Sequence, residues 1–423
     1  MGAKLARIAI LSVPAYGHLN PVLPITGELV RRGHSVTVFN EASFEPLIRA
    51  TGAGFAAYPP VIHLEDFSRT LKDGDMIAWI EMIFSATGPL LGATYAALRD
   101  DPPDLIVFDG VALWGEMLAK KLRVPSVSIS TTFASDAFAR DFGQFVQDTL
   151  NAIKLSPRFF VAVLKMTWHG ALAMPSPFPP LVPRRGTKTL MMTSRDFHPP
   201  SRIKASSNFS FVGCSIAPHT RQEAFDFSRL DGRPLLYISL GTLHHGNSAF
   251  FDTCIDAFRD YDGQVLLSVG RGTDLAPYAN APANFIFAEA VPQLAILERA
   301  RIFLTHGGLN STHEGLWHGV PMVAVPQQLE QFHNAQAMQA AGAGITIDSE
   351  IHGQHVTAAA LRAAIARVEA GHAGFAAAAA GIGATLRDGG GYVEAANRIE
   401  EVAGRRSAAI QPESAIRPLS GKA

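Results

Sequence analysis

Short apolar runs alternate with longer amphipathic segments along the whole chain. In the first half the runs are ARIAILSV (6–13), SVTVFN (35–40), DLIVFD (104–109), SVSIST (126–131) and TLMMTS (189–194). In the second half they are PLLYISL (234–240), QVLLSVG (264–270), NFIFAEA (284–290), RIFLTH (301–306), PMVAVP (321–326) and GITID (344–348). Continuous rather than alternating apolar residues mark strands buried on both faces, as in parallel sheets built from βαβ units. Eleven such runs are too many for one small open sheet. The predicted fold class is therefore α/β, with two doubly wound, Rossmann-like domains.

The stretch 198–233 is polar and punctuated by Pro, Ser and Gly, which places the boundary there. The expected organisation is a first domain over 1–205, a linker over 206–232, a second domain over 233–385, a C-terminal helix over 386–405 and a frayed tail over 406–423. ALAMPSPFPPLVPRRG (171–186) reads as a surface loop within the first half. Residues 357–384 are alanine-rich and helix-favouring, and GGG (389–391) breaks the chain before the last helix. FFVAVLKMTWHGALAM (159–174) is interrupted by Lys165 and His169, so it predicts a buried or amphipathic helix rather than a membrane span.

A chain of 423 residues suits two domains, and 48% apolar against 17% charged residues provides for a large core. Lys and Arg (36) balance Asp and Glu (37), without the basic excess that a general nucleic-acid binder needs. Cys214 and Cys254 make neither a disulfide framework nor a zinc site and point to a reducing compartment, the cytoplasm. LARIAILSV at the N-terminus lacks a small-residue cleavage site and reads as a strand rather than a signal peptide.

Open parallel sheets bind ligands beyond the carboxyl ends of their strands. Polar residues directly after apolar strands are His18 and Asp109 in the first half, and Thr242, Arg271, His306 and the segment PQQLEQ (326–331) in the second. A neutral imidazole can take a proton from a hydroxyl, and a carboxylate behind it fixes its tautomer and stabilises the imidazolium. The competing reading is structural. Asn20 as N-cap and Pro21 at the first helical position would make GHLNP a turn into a helix over 21–32, and Asp109 a cap for the helix containing Trp114. Spacing alone leaves both open.

In THGGLNSTHEGLWHGVP (305–321), Gly307 and Gly308 let a diphosphate approach the backbone, and the N–H groups opening the next helix face it. His306 can donate to a phosphate oxygen. Ser311 and Glu314 lie one turn apart, and a carboxylate repelled by phosphate suits sugar hydroxyls instead. S-T-H-E is also a capping box, which would account for Ser311 and Glu314 but not for His306 or the glycine pair.

GHLNP, VPQLAIL (291–297) and THGGLNSTHEGLWHGVPMVAVPQQLEQFHNA (305–335) together resemble the family 1 nucleotide-sugar-dependent glycosyltransferases of the UDP-glucuronosyl/UDP-glucosyltransferase superfamily, in particular its bacterial macrolide and natural-product members. The likeness runs in order over nearly the whole chain. It implies a GT-B fold: two facing Rossmann-like domains, acceptor in the first and donor in the second, with the last helix crossing back. It implies His18 as catalytic base assisted by Asp109, and Gln293 with the Val291 backbone on the nucleobase. Glu314 would take the ribose, and Thr242, His306, Gly308, Asn310 and Ser311 the diphosphate. Glu330 and Gln331, where the family usually has Asp-Gln, would hold the donor sugar, with Arg271 also on the donor side. Ala290 stands where the family often has an aromatic residue, which leaves uridine versus thymidine preference open. Glu330 is one methylene longer than Asp, which bears on the sugar accepted.

The implied reaction is an inverting transfer of a hexose from a UDP-sugar, UDP-glucose first, to a hydroxyl of a lipophilic small molecule such as a macrolide, a polyphenol or flavonoid, or a carotenoid. No cofactor or metal is expected, because DGD (73–75) follows no strand and reads as a solvated loop. Trp79, Met82, Phe84, Phe133, Phe138, Phe142 and Trp168 are mostly core, with a few expected to line the acceptor pocket. The expected partners are the two substrates, with no nucleic acid and no membrane span, in a monomer or homodimer. The alternatives are a TDP-deoxysugar-dependent transferase, a GT-B nucleotide-sugar epimerase, and a non-catalytic binder, which the presence of both His18 and Asp109 disfavours. The glycine fingerprint of a dehydrogenase after the first strand and the nucleophile elbow of a serine hydrolase are both missing.

Overall fold

The apolar runs become strands where their pattern places them. The computed structural model describes residues 5–65, 76–133, 161, 164, 188–199, 208–217, 223–241 and 248–409. Among these, β1 (Arg7–Leu11), β2 (Ser35–Asn40), β3 (Gly54–Ala57), β4 (Leu105–Asp109), β5 (Ser126–Ser130), β6 (Lys188–Met191) and β7 (Phe209–Phe211) form one sheet in the order β3-β2-β1-β4-β5-β6-β7. β8 (Leu235–Ser239), β9 (Gln264–Ser268), β10 (Phe285–Ala288), β11 (Ala300–Thr305), β12 (Met322–Ala324) and β13 (Gly344–Thr346) form a second, ordered β10-β9-β8-β11-β12-β13. Neighbouring strands pair in parallel in both. The edge strands β3 and β7 went unpredicted. β7 lies inside 206–232, so the first sheet continues into the segment expected to be linker.

The helices are α1 (Tyr16–Arg31), α2 (Glu45–Arg49), α3 (Met76–Leu98), α4 (Leu113–Leu122), α5 (Ser248–Phe258), α6 (Gln293–Leu297), α7 (Leu309–Trp317), α8 (Leu329–Ala340), α9 (Ala358–Ala370), α10 (His372–Asp388) and α11 (Gly391–Ala409). No described helix is long and apolar enough to cross a membrane. Two helix-start readings are corrected. α1 begins at Tyr16 behind Ala15, which makes no side-chain cap, so Asn20 and Pro21 lie inside the helix. α7 begins after Gly308, so Ser311 is its third residue and not the cap of a capping box.

The strands are buried on both faces because successive side chains enter different cores. Ala9, Leu11, Ile106 and Phe108 pack on one side of the first sheet, and Ile8, Ile10, Leu105 and Val107 on the other. The second sheet repeats this with Leu236 and Ile238 against Leu235 and Tyr237. In each sheet the chain runs outward and then restarts on the other side of its first strand. The gaps between β1 and β4 and between β8 and β11 are therefore topological switch points, where a crevice opens at the carboxyl edge.

α11 crosses back to the first domain and starts at 391 rather than 386. Its Ala395, Ala396 and Ile399 complete the core that holds Ile8 and Ile10. His34 Nδ1 accepts the Ala6 N–H at 3.1 Å, so its Nε2 carries the proton and donates to Glu400 at 2.8 Å, while Arg32 reaches Glu400 at 2.7 Å. The two chain crossings between domains run side by side, with Gly391 N–H donating to the Val212 carbonyl at 2.6 Å. Gly213, at φ +73°, lies so close that an added Cβ would overlap the Leu386 carbonyl oxygen. Gly213→Ala should therefore cost about 3 kcal/mol or more in urea unfolding. Gly232→Ala, at φ +87° with open space around it, should cost only ~1–2 kcal/mol.

Candidate active site

His18 and Asp109 meet at the first switch point. Asp109 ends β4, one residue past the Leu11–Phe108 pairing, and His18 sits in the first turn of α1 just after β1. Asp109 is buried; its Oδ1 accepts the Val111 N–H at 2.7 Å, and its Oδ2 lies 2.7 Å from His18 Nδ1. The carboxylate accepts a hydrogen bond from Nδ1–H, which leaves the lone pair on Nε2. Thr131 Oγ1 lies 3.3 Å from the same Nδ1. The residue directly follows the apolar SVSIS of β5, so the rule that found His18 and Asp109 would also have found it.

Burial by itself lowers the His18 pKa. The charge and hydrogen bond of Asp109, with a smaller contribution from Glu330 across the cleft, outweigh burial and raise it above the ordinary 6.5. Glu330 itself lies exposed at the start of α8, where its Oε1 accepts from Asn334 Nδ2 at 2.7 Å. Base and carboxylate thus belong to one electrostatic unit spanning the two domains.

The second switch point is built around His306, which follows β11. Its ring is seated between two glycines. A Cβ on Gly241 would come within 2.5 Å of Cε1, and one on Gly308 would overlap Nε2. Gly307, at φ +79°, turns the chain into α7. Gly308 opens that helix with no side-chain cap, so its first N–H groups keep their capacity to receive an anion.

Ser311 and Glu314, both buried, point from α7 toward Gln293. Gln293 Nε2 donates to Glu314 Oε2 at 2.5 Å and lies 3.4 Å from Ser311 Oγ, while its Oε1 accepts from Tyr237 OH at 2.9 Å. Gln293 therefore orients Glu314. Gln331 is buried, and its Oε1 accepts the Gln327 N–H at 2.9 Å, which steadies the loop before α8. Val291 packs in the core. Arg271 is exposed and faces Glu223 at 3.7 Å. Asn310 does not keep to its own domain, since its Nδ2 donates to the Gly17 carbonyl at 2.9 Å.

Among the expected acceptor residues, Phe84 is a core residue, and Trp79 and Met82 are half-buried against the same cluster. Phe133 packs edge-on against Phe197, with ring centres 5.5 Å apart. Thr242, Phe138, Phe142, Trp168 and the DGD segment lie outside the described residues.

Comparison with known proteins decides the family. The family model for UDP-glucoronosyl and UDP-glucosyl transferase matches residues 153–370. The NDP-glycosyltransferase YjiC of Bacillus subtilis is 32% identical over 86% of this chain and 89% of its own. The chain belongs to this family. The transferase is also similar to the oleandomycin glycosyltransferase of Streptomyces antibioticus, at 31% identity over 82% of this chain and 80% of that one. In structure it matches the glycotransferase of kitacinnamycin, with a TM-score of 0.80, 29% identity and coverage of 94% and 99% of the two chains. Its two parallel sheets are thus the two Rossmann-like halves of a GT-B glycosyltransferase.

Sequence spacing gave no hint of one further contact in the transferase. His313 on α7 is buried, with Nε2 3.1 Å from Thr193 Oγ1 just after β6, and the Phe197 ring packs edge-on against it. Burial lowers its pKa to about 3. The unfolded chain takes up a proton near pH 6.5 while the folded one stays neutral, so stability present above 6.5 is lost as pH falls. Between pH 7 and pH 5, wild type should lose about 2 kcal/mol more unfolding free energy than His313→Gln; equal losses would contradict this.

Proposed function

We propose that this glycosyltransferase transfers a hexose, with UDP-glucose as donor, to a hydroxyl of a lipophilic small molecule, inverting the anomeric centre and using no metal. The observation that carries the reading is the 2.7 Å contact between Asp109 and His18 Nδ1, which makes Nε2 the proton acceptor. Nε2 takes the acceptor's hydroxyl proton as that oxygen bonds to the anomeric carbon. The bond from that carbon to the diphosphate breaks on the opposite face, and its electron pair leaves on the diphosphate oxygen. His306 and the first N–H groups of α7 would receive this negative charge, and Glu314, held by Gln293, would take ribose hydroxyls. Glu330 would meet the donor sugar at the mouth of the cleft. The acceptor would enter from the first domain, near Thr131 and the half-buried Trp79 and Met82.

Neutral His18 is a modest base, so it assists an acceptor whose proton leaves only as the new bond forms. His18→Ala should cost ~10²–10⁴-fold in turnover with an unactivated alcohol. The test is a panel of UDP- and TDP-sugars against mixed lipophilic acceptors, with products read by mass, in EDTA and with added Mn²⁺. Glucosides formed from UDP-glucose in EDTA support the reading. Turnover only with Mn²⁺, epimerised donor without acceptor, or wild-type turnover by His18→Ala would contradict it.

A further inference from the structure

We propose that Asn310 is a positioning residue: it joins the donor-side helix α7 to the turn that bears His18, through a carbonyl that Pro21 leaves without a helical partner. In an α-helix the carbonyl of residue 17 would accept the N–H of residue 21. Residue 21 is Pro21, inside α1, which has no N–H and whose ring presses on the carbonyl one turn back. The first ladder bond of α1, Leu19 N–H to the Ala15 carbonyl at 2.9 Å, is made; the bond that would serve Gly17 cannot be. The Gly17 carbonyl is instead taken by Asn310 Nδ2 at 2.9 Å.

Position makes this contact consequential. Gly17 immediately precedes His18. Asn310 is the second residue of α7, two beyond Gly308 and four beyond His306. One hydrogen bond therefore connects the turn holding the base to the helix start that faces the leaving group. It exists only when the two domains are closed, since its ends belong to different sheets. Proline at an interior helix position is costly, and here it turns a carbonyl that would be internal into an acceptor for the opposite domain. Asn310 thereby aligns His18 when the donor half is in place, and its amide serves the cleft rather than the diphosphate.

The inference rests on the transfer reading above for its kinetic arm, and an added structural arm does not. With the full-length enzyme, Asn310→Ala should lower kcat about three- to tenfold, as expected for one hydrogen bond, with UDP affinity by calorimetry within about twofold of wild type. Pro21→Ala restores an N–H at residue 21, so adding Asn310→Ala to it should cost less than about twofold further. In solution scattering, Asn310→Asp, which sets a carboxylate against the carbonyl, should give a larger radius of gyration than wild type. UDP affinity weakened tenfold in Asn310→Ala, an unchanged kcat, full additivity with Pro21→Ala, or an unchanged scattering profile of Asn310→Asp would each overturn the proposal. If wild type transfers no sugar but Asn310→Asp still opens, the transfer reading falls and the closing contact stands.

Discussion

The 2.7 Å contact between His18 and Asp109 is the constraint on which the rest of the site depends. The two residues are 91 positions apart, and neither can do much alone. An imidazole without a carboxylate has two interchangeable tautomers, and a buried carboxylate without a donor is costly. The doubly wound sheet resolves both needs, because β1 and β4 are neighbours in space although two strands intervene in sequence. The pair then sits where helices diverge and a crevice is unavoidable. α11 closes the back of that sheet, and its anchor at Glu400 holds the α1 side of the pair from behind.

The second domain repeats the geometry with other chemistry. Among the described residues, its switch point sets glycines at 241, 307 and 308 around the His306 imidazole. Small residues let the His306 ring approach the backbone at Gly241 and Gly308, next to an uncapped helix start. A helix end with uncommitted N–H groups is an electrostatic resource that a side-chain cap would use up. The placement of Gly308 at the cap, in preference to Ser or Asp, follows from that.

Much of this was legible because strands buried on both faces read as unbroken apolar runs, and the first polar residue after each lies at the carboxyl edge. His18, Asp109 and His306 were found that way, and Thr131 could have been. What sequence spacing misjudged was local and has local causes. Asn20-Pro21 has the composition of a helix start, but α1 begins five residues earlier, at Tyr16, and carries Pro21 inside it. Ser311 and Glu314 have the spacing of a capping box, but the cap position belongs to Gly308. Three-residue β7 is too short to show a period and is recruited by pairing with β6. The turn of Gln293 onto Glu314, and of Gln331 onto the loop behind it, depends on neighbours brought in by folding, to which no residue pattern points.

The most direct test is the pH dependence of kcat/KM for wild type and Asp109→Asn. Nε2 must be neutral to accept a proton, so activity is present above the His18 pKa and lost as pH falls through it. With Asp109 in place that acid limb should have a midpoint above 6.5. In Asp109→Asn the charge that holds the imidazolium is gone while burial still acts against it, so the midpoint should move to lower pH and the plateau should fall ~10²-fold or more. An acid limb at the same pH in both proteins would contradict the account.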